Sequence, residues 1–181
     1  MQHGRFETIG IILFAILAAI VYGIVHDQVT AHLCVEYFTI AHPPVFPTES
    51  PFLLALGWGI IATWWVGLAL GIGLAAAARI GAPPRLGLRE VRRPIVLLMA
   101  ASALVACLAG LVGALAVASG ALPLVGEWAD IIPPDRHVAF AAVAWAHEAS
   151  YAAGGLGGLF VIGHIIRRRM RLRRQPPAAA S

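Results

Sequence analysis

The sequence predicts an all-α fold, a four-helix transmembrane bundle whose first and fourth spans extend beyond the membrane on the extracytoplasmic side. Three observations carry that expectation. The 181 residues are 60% hydrophobic and 12% charged, whereas ordinary globular chains carry about 25% charged residues, so there is too little charge to coat a water-facing surface. The apolar residues gather in four stretches, 9–25, 52–78, 94–118 and 149–166, each close to the roughly 17–25 residues that cross hydrocarbon as a helix. Nothing alternates with the period of a barrel strand, and helix is then the form that satisfies its own backbone in lipid. The same composition excludes disorder, which combines low hydrophobicity with high charge.

The first span, Ile9 to Val25, follows Arg5 and is longer than the hydrophobic region of a signal peptide, with no small-x-small site after it, so it is expected to be retained. Beyond it, His26 to Ala41 contains neither Gly nor Pro until His42-Pro43-Pro44, and the helix is expected to continue through it. The second span holds Trp58, Trp64 and Trp65 in its outer half, which with Trp145 read as an interfacial aromatic belt. Pro94 is expected to open the third span, where a missing N–H costs nothing, and Ser119-Gly120 to close it. Pro133-Pro134-Asp135 reads as the start of the helix that becomes span four. Residues 1–175 thus form one four-span domain, and residues 176–181 are expected to be a disordered tail.

Lipid is as apolar as leucine, so close packing through small residues must hold the helices together. Gly67 and Gly71, Ala106 and Gly110, and Gly154 and Gly158 each have the required i, i+4 spacing. Cys34 and Cys107 fall at depths that do not match, and both read as free thiols.

The basic residues are all arginine. Arg5 precedes span one, Arg79 to Arg93 fill the connection between spans two and three, and Arg167 to Arg174 follow span four, leaving Arg136 alone on the other side with Asp27, Glu36, Glu49, Glu127, Asp130 and Asp135. The positive-inside rule then places both termini in the cytoplasm, as expected of a multi-pass protein of the bacterial inner membrane. A pI of about 9.8 is explained without nucleic acid. The RRRMRLRR run abuts a span, where it reads as a topology anchor touching anionic lipid headgroups.

The spans contain no charged residue in their interiors, which ranks a small transporter third among the functional readings. The polar chemistry gathers instead at the outer ends of spans one and four, where His26-Asp27 and His147-Glu148 reach about the same depth. Around them a cap would hold His32, Glu36, His42 and His137. At helical spacing His26, Thr30 and Tyr37 align, His32 and Glu36 form an i, i+4 pair, and His137, Ala141, Ala144 and Glu148 share a face.

Imidazole and carboxylate are natural ligands of a transition metal such as Fe or Zn, so the candidate metal residues are His26, Asp27, His32, Glu36, His147 and Glu148. No H-E-x-x-H, paired Glu-x-x-His or Cys-His finger spacing is present. The same groups could be satisfied by headgroups, backbone or water, or could serve metal-free acid/base chemistry. Two readings of function therefore lead: a metal-binding or redox-type site in the cap, and a non-catalytic scaffold or accessory subunit that docks a membrane-protein partner.

The stretch YGIVHDQVTAHLCVEYFTIAHPP, continuing to LALGWGIIATWWVG, resembles a family of small bacterial four-span integral membrane proteins. The resemblance covers about the first 70 residues and otherwise only the layout. It implies the architecture and carries no activity or site residue with it.

Overall fold

The structure, a computed structural model, describes residues 2–174; the segment 176–181 lies outside them. In chain order it contains α1 (Gln2–Leu33), α2 (Glu36–Thr39), α3 (Pro51–Ile61), α4 (Trp64–Arg79), α5 (Leu88–Ala118), α6 (Glu127–Ile131), a short 3-10 turn (Pro134–Arg136) and α7 (His137–Arg174), with no strand among the described residues. Four spans are long and apolar enough to cross a membrane, α1, α3 with α4, α5, and α7 with the turn before it. In the most apolar stretch of each, only 17% to 28% of residues are buried. What faces outward is apolar too: Leu13, Leu17, Val21, Val25 and Val29 form a stripe on α1, each more than half exposed. An apolar exterior of this extent is a surface for lipid.

Helix α1 lies along α3 and α4, and α5 lies along α7. The small residues explain how closely. A Cβ on Gly67 would lie 2.7 Å from the Ile16 Cα, and one on Gly110 would lie 2.9 Å from the Ala142 carbonyl oxygen. The tightest crossing pairs Gly59 of α3 with Gly23 of α1, where a Cβ on Gly59 would meet the Ile24 Cα at 2.6 Å. Gly154 departs from the expectation: nothing lies within 4 Å of where its Cβ would be, and it borders a cavity. Towards the arginine-rich end the gaps are filled by Ile11, Ala15, Leu74, Ala78, Ile95 and Ile165.

Three boundaries and one side chain differ from the sequence reading, each for a local reason. The helix after span one does not run on to Ala41; it stops at Leu33 and resumes as one short turn, α2. Arg136 holds that break, donating from Nη2 to the Leu33 carbonyl and from Nε to Glu36 Oε1, both at 2.9 Å. Span two is interrupted at Ala62–Thr63, where the Thr63 hydroxyl turns back onto the Gly59 carbonyl at 2.5 Å. Hydroxyls that bond the preceding turn compete with the backbone ladder and bend helices. Pro94 lies inside α5 rather than at its start. Its missing N–H orphans the Glu90 carbonyl, to which the Arg168 guanidinium donates at 3.4 Å. Trp58 is drawn off the aromatic belt to pack against His42 and Phe46, with ring centroids 4.8 and 5.9 Å away.

One side chain at the arginine-rich end gathers most of the connection after α4. Arg169 of α7, 6% exposed, donates to four carbonyl oxygens, those of Ala77, Ile80, Ala82 and Pro84, at 2.7 to 3.0 Å. Two of these belong to the last turn of α4 and its cap, whose carbonyls have no helical partner and whose dipole favours a cation. Across from it, Glu7 of α1 accepts the Leu88 N–H at 2.7 Å and so caps α5.

Candidate metal centre

The end of the bundle away from the arginines gathers residues from α1, α2 and α7. His26 and Asp27 sit two turns before the end of α1, and His147 lies in the first third of α7. Asp27 and His147 are buried, at 6% and 7% exposure. A charged or imidazole side chain in that position needs a partner. Each residue offers one ligand-type atom, and the three atoms lie within 4.8 Å of one another.

The hydrogen bonds decide what lies between them. His147 Nδ1 is 2.9 Å from the Val143 carbonyl, an acceptor, so Nδ1 carries the hydrogen and donates. The neutral ring then presents a bare lone pair at Nε2, which faces Asp27 Oδ1 at 3.3 Å. His26 Nε2 is buried and has no hydrogen-bond partner. A proton on His147 Nε2 would close its bond to Asp27 and leave His26 unsatisfied. A cation bound to all three would satisfy both rings and the carboxylate together. The 3.3 Å separation is close to the edge of a tetrahedron with bonds of about 2.0–2.1 Å, which is roughly 3.4 Å.

The surroundings orient the rings. Tyr22, one turn before His26, stacks on it at 5.8 Å and 24°, and its hydroxyl lies 2.6 Å from Ser150 Oγ on α7. Thr30, one turn beyond, is buried and donates to the His26 carbonyl at 3.1 Å. The segment after α1 folds over the site as a roof. There the Tyr37 ring lies 4.5 Å from His147 and the Phe38 ring 5.7 Å from it, while His42 is fixed by its Nδ1 against the Tyr37 carbonyl at 2.8 Å. Burial raises the Tyr37 phenol above its ordinary range, so it stays protonated at neutral pH.

Beneath the roof His26, Asp27 and His147 open onto a cavity of about 80 Å³, bordered also by Tyr22, Trp58, Met99, Ser102 and Tyr151. That is room for several waters or one small molecule. Ser102 of α5, 1% exposed, presents a hydroxyl with no hydrogen-bond partner, and it too borders the cavity.

Of the six residues singled out from the sequence, the structure brings His26, Asp27 and His147 together and leaves the other three apart. His32 is exposed and its Nδ1 lies 2.7 Å from the Gln28 carbonyl. Glu36 pairs with Arg136 instead of His32, because the break after Leu33 removes the i, i+4 relation. Glu148 is exposed, one helical step of 100° past buried His147. His137 bonds the Ile132 carbonyl at 2.9 Å and is likewise outside the cluster.

Both cysteines are free, as expected. Cys34 is buried beside the roof and donates to Glu36 Oε2 at 3.3 Å. Burial, reinforced by that carboxylate, pushes its thiol up to about 11, so it is a neutral thiol at neutral pH, and it lies outside the histidine and aspartate cluster. Glu36 itself is held below its ordinary value. Partial burial opposes ionisation, but its backbone N–H, the Cys34 thiol and Arg136 together outweigh it.

Sequence reasoning aligned Tyr37 with His26, gave Trp58 a place in the aromatic belt rather than at the site, and missed Phe38 and Ser102. The density of aromatic and histidine residues between Tyr37 and Phe46 was the available signal for the roof; no local pattern marks Ser102. No protein-family model, curated protein or solved structure matches the chain. The helices themselves define the class: a multi-span membrane protein with a buried histidine and aspartate cluster able to hold a metal.

Proposed function

We propose that the chain binds one divalent transition metal through His26 Nε2, His147 Nε2 and an Asp27 carboxylate oxygen. The observation that carries this is a buried cluster of two imidazoles and a carboxylate, in which His147 Nε2 faces Asp27 Oδ1 at 3.3 Å and His26 Nε2 has no hydrogen-bond partner. Two nitrogens and one oxygen, without thiolate, suit Zn, Fe or Mn. The hydrogen bond from His147 Nδ1 to the Val143 carbonyl is the outer-shell support that metal-bound histidines ordinarily have. Three protein ligands leave a coordination position open, as in catalytic rather than structural metal sites. That position would face the cavity, so the function we infer is metal-assisted chemistry, of redox or Lewis-acid type, on a small molecule at the membrane's outer edge. The arginine distribution supports the setting, with both termini cytoplasmic and the metal at the extracytoplasmic side of a bacterial inner membrane.

Metal analysis of protein purified in detergent without chelator tests the proposal. About one equivalent of a single transition metal is expected in the native chain, and less than about a tenth in Asp27→Asn and His147→Ala, in line with the loss of one of three ligands. His32→Ala and Glu148→Gln are expected to keep the native content. Metal-free native protein that also fails to take up Co²⁺ or Zn²⁺ on reconstitution would overturn the reading.

A further inference from the structure

A second site lies at the opposite end of the molecule. A cleft of about 820 Å³ opens between the start of α1 and the end of α4. Its walls are apolar, with Ile9 and Ile12 on one side and Ile72, Ala76 and Ile80 on the other. Its rim carries Arg5 from α1, Arg79 from the last turn of α4 and Arg85 from the connection to α5. Arg79 is held there: Nη1 donates to the Leu86 carbonyl at 3.0 Å, and Nη2 lies 3.3 Å from where a Cβ on Gly4 would be. The glycine is what lets the guanidinium rest against α1.

No carboxylate lines this cleft among the described residues. Glu7 and Glu90 are directed away to backbone groups of the connection, Glu7 to the Leu88 N–H at 2.7 Å and Glu90 to the Gly87 N–H at 2.8 Å. Arg5 and Arg85 are exposed and make no hydrogen bond among the described residues. Three cations from three segments of chain therefore converge over a hydrocarbon-lined groove that no carboxylate lines among the described residues. The complement of that surface is an anion joined to an alkyl chain.

We infer that the cleft is a binding site for one anionic phospholipid of the leaflet on the arginine-rich side. Its phosphate sits among Arg5, Arg79 and Arg85, and an acyl chain lies along Ile9, Ile12 and Ile72. Inorganic phosphate would meet the same arginines but leave the groove empty. A zwitterionic lipid would bring a second cation to a rim already rich in them. The site is independent of the metal centre and distinct from the run of arginines that ends α7.

Native mass spectrometry of the detergent-purified full chain, titrated with phosphatidylglycerol or with phosphatidylcholine of the same acyl chains, tests this. One phosphatidylglycerol per chain is expected to survive activation that strips phosphatidylcholine. The double variant Arg5→Gln, Arg85→Gln removes two exposed charges and is expected to weaken that retention about tenfold, since each basic residue near an anionic surface contributes a severalfold factor. Arg92→Gln with Arg93→Gln makes the same charge change on an exposed part of α5 and is expected to leave it intact. Ala76→Phe fills the groove with the arginines in place and is expected to expel the lipid as well. Equal retention of the two lipids, equal loss in both arginine double variants, or retention unaffected by Ala76→Phe would each overturn the proposal. So would displacement of phosphatidylglycerol by inorganic phosphate.

Discussion

At the scale of single residues, the outer end is decided by which atoms have somewhere to send a hydrogen bond. His147 spends its one hydrogen on the Val143 carbonyl, and that choice leaves its Nε2 facing the Asp27 carboxylate beside a His26 Nε2 that has no partner. Glu36, on the rim, is a different case because it has a partner. Its folded pKa lies below the ordinary 4.5. Its pair with Arg136 therefore stabilises the protein above about pH 4.5 and loses that effect as the pH falls through the lower, folded value. The side chains are 32% and 21% exposed, so solvent screening limits the effect to about 1 kcal/mol or less. Thermal unfolding of the native chain and of Glu36→Gln is expected to differ by a degree or two at pH 7 and to converge as the pH falls below the folded value of Glu36; a difference that persists throughout acid titration would mean that the carboxylate charge is not what matters.

Much of this scale was legible, and part of it could not be. Matched depth along two helices pointed to His26-Asp27 and His147-Glu148 because length in a helix converts directly to distance. Both members of the first dipeptide reach the cluster, but only His147 of the second does, and that is set by how α7 is rotated in the bundle. That rotation depends on tertiary contacts such as Ala142 against Gly110, which no local pattern reveals. The pair expected between His32 and Glu36 failed for a similar reason, since Arg136, a hundred residues away, ends the helix between them.

At the scale of elements, the spans were legible because lipid imposes a length and a composition on any helix that crosses it. Their interruptions were not. The break at Ala62–Thr63 has no Gly or Pro, and Pro94, which looked like a boundary, is accommodated inside α5 by a borrowed donor from Arg168. The junction of α4 with α7 makes a sharper test of element packing. Arg169→Lys keeps the charge but offers one ammonium where a planar guanidinium meets four carbonyls. Buried carbonyls left unpaired cost about 1–3 kcal/mol each. The variant is expected to lower the unfolding temperature by several degrees and to expose the 80–87 connection to protease. Unchanged melting and proteolysis would show that water replaces the guanidinium freely. Gly59→Ala, which forces α1 and α3 apart, is expected to destabilise by about 1–3 kcal/mol in the same assay.

At the scale of the whole molecule, polarity is segregated by end. The inner core is filled by Ile11, Leu74, Ile95 and Ile165, while the histidine and aspartate cluster and its cavity lie towards the other end. Asp27 is buried within the long first span rather than standing beyond it, yet that core of aliphatic side chains separates it from the arginine-rich end. This arrangement favours chemistry entered from one side over passage through the bundle. The proposed orientation has a direct check. Reporter fusions active only outside the cytoplasm are expected to be silent after residue 174 and within 80–87, and active when inserted between 119 and 126. The reverse pattern would invert the molecule and place the metal centre inside.

Helix α7 carries His147 near one end and Arg169 near the other. They are 22 residues apart, about 33 Å along the axis, and at 100° per residue they project within about 40° of one another. The helix therefore behaves as an axle keyed at both ends. Four carbonyls grip the inner key, and the Val143 carbonyl and Asp27 seat the outer one. A twist of this axle cannot be absorbed at one end without being registered at the other, so the aim of the His147 ring is set in part by a loop on the far side of the membrane.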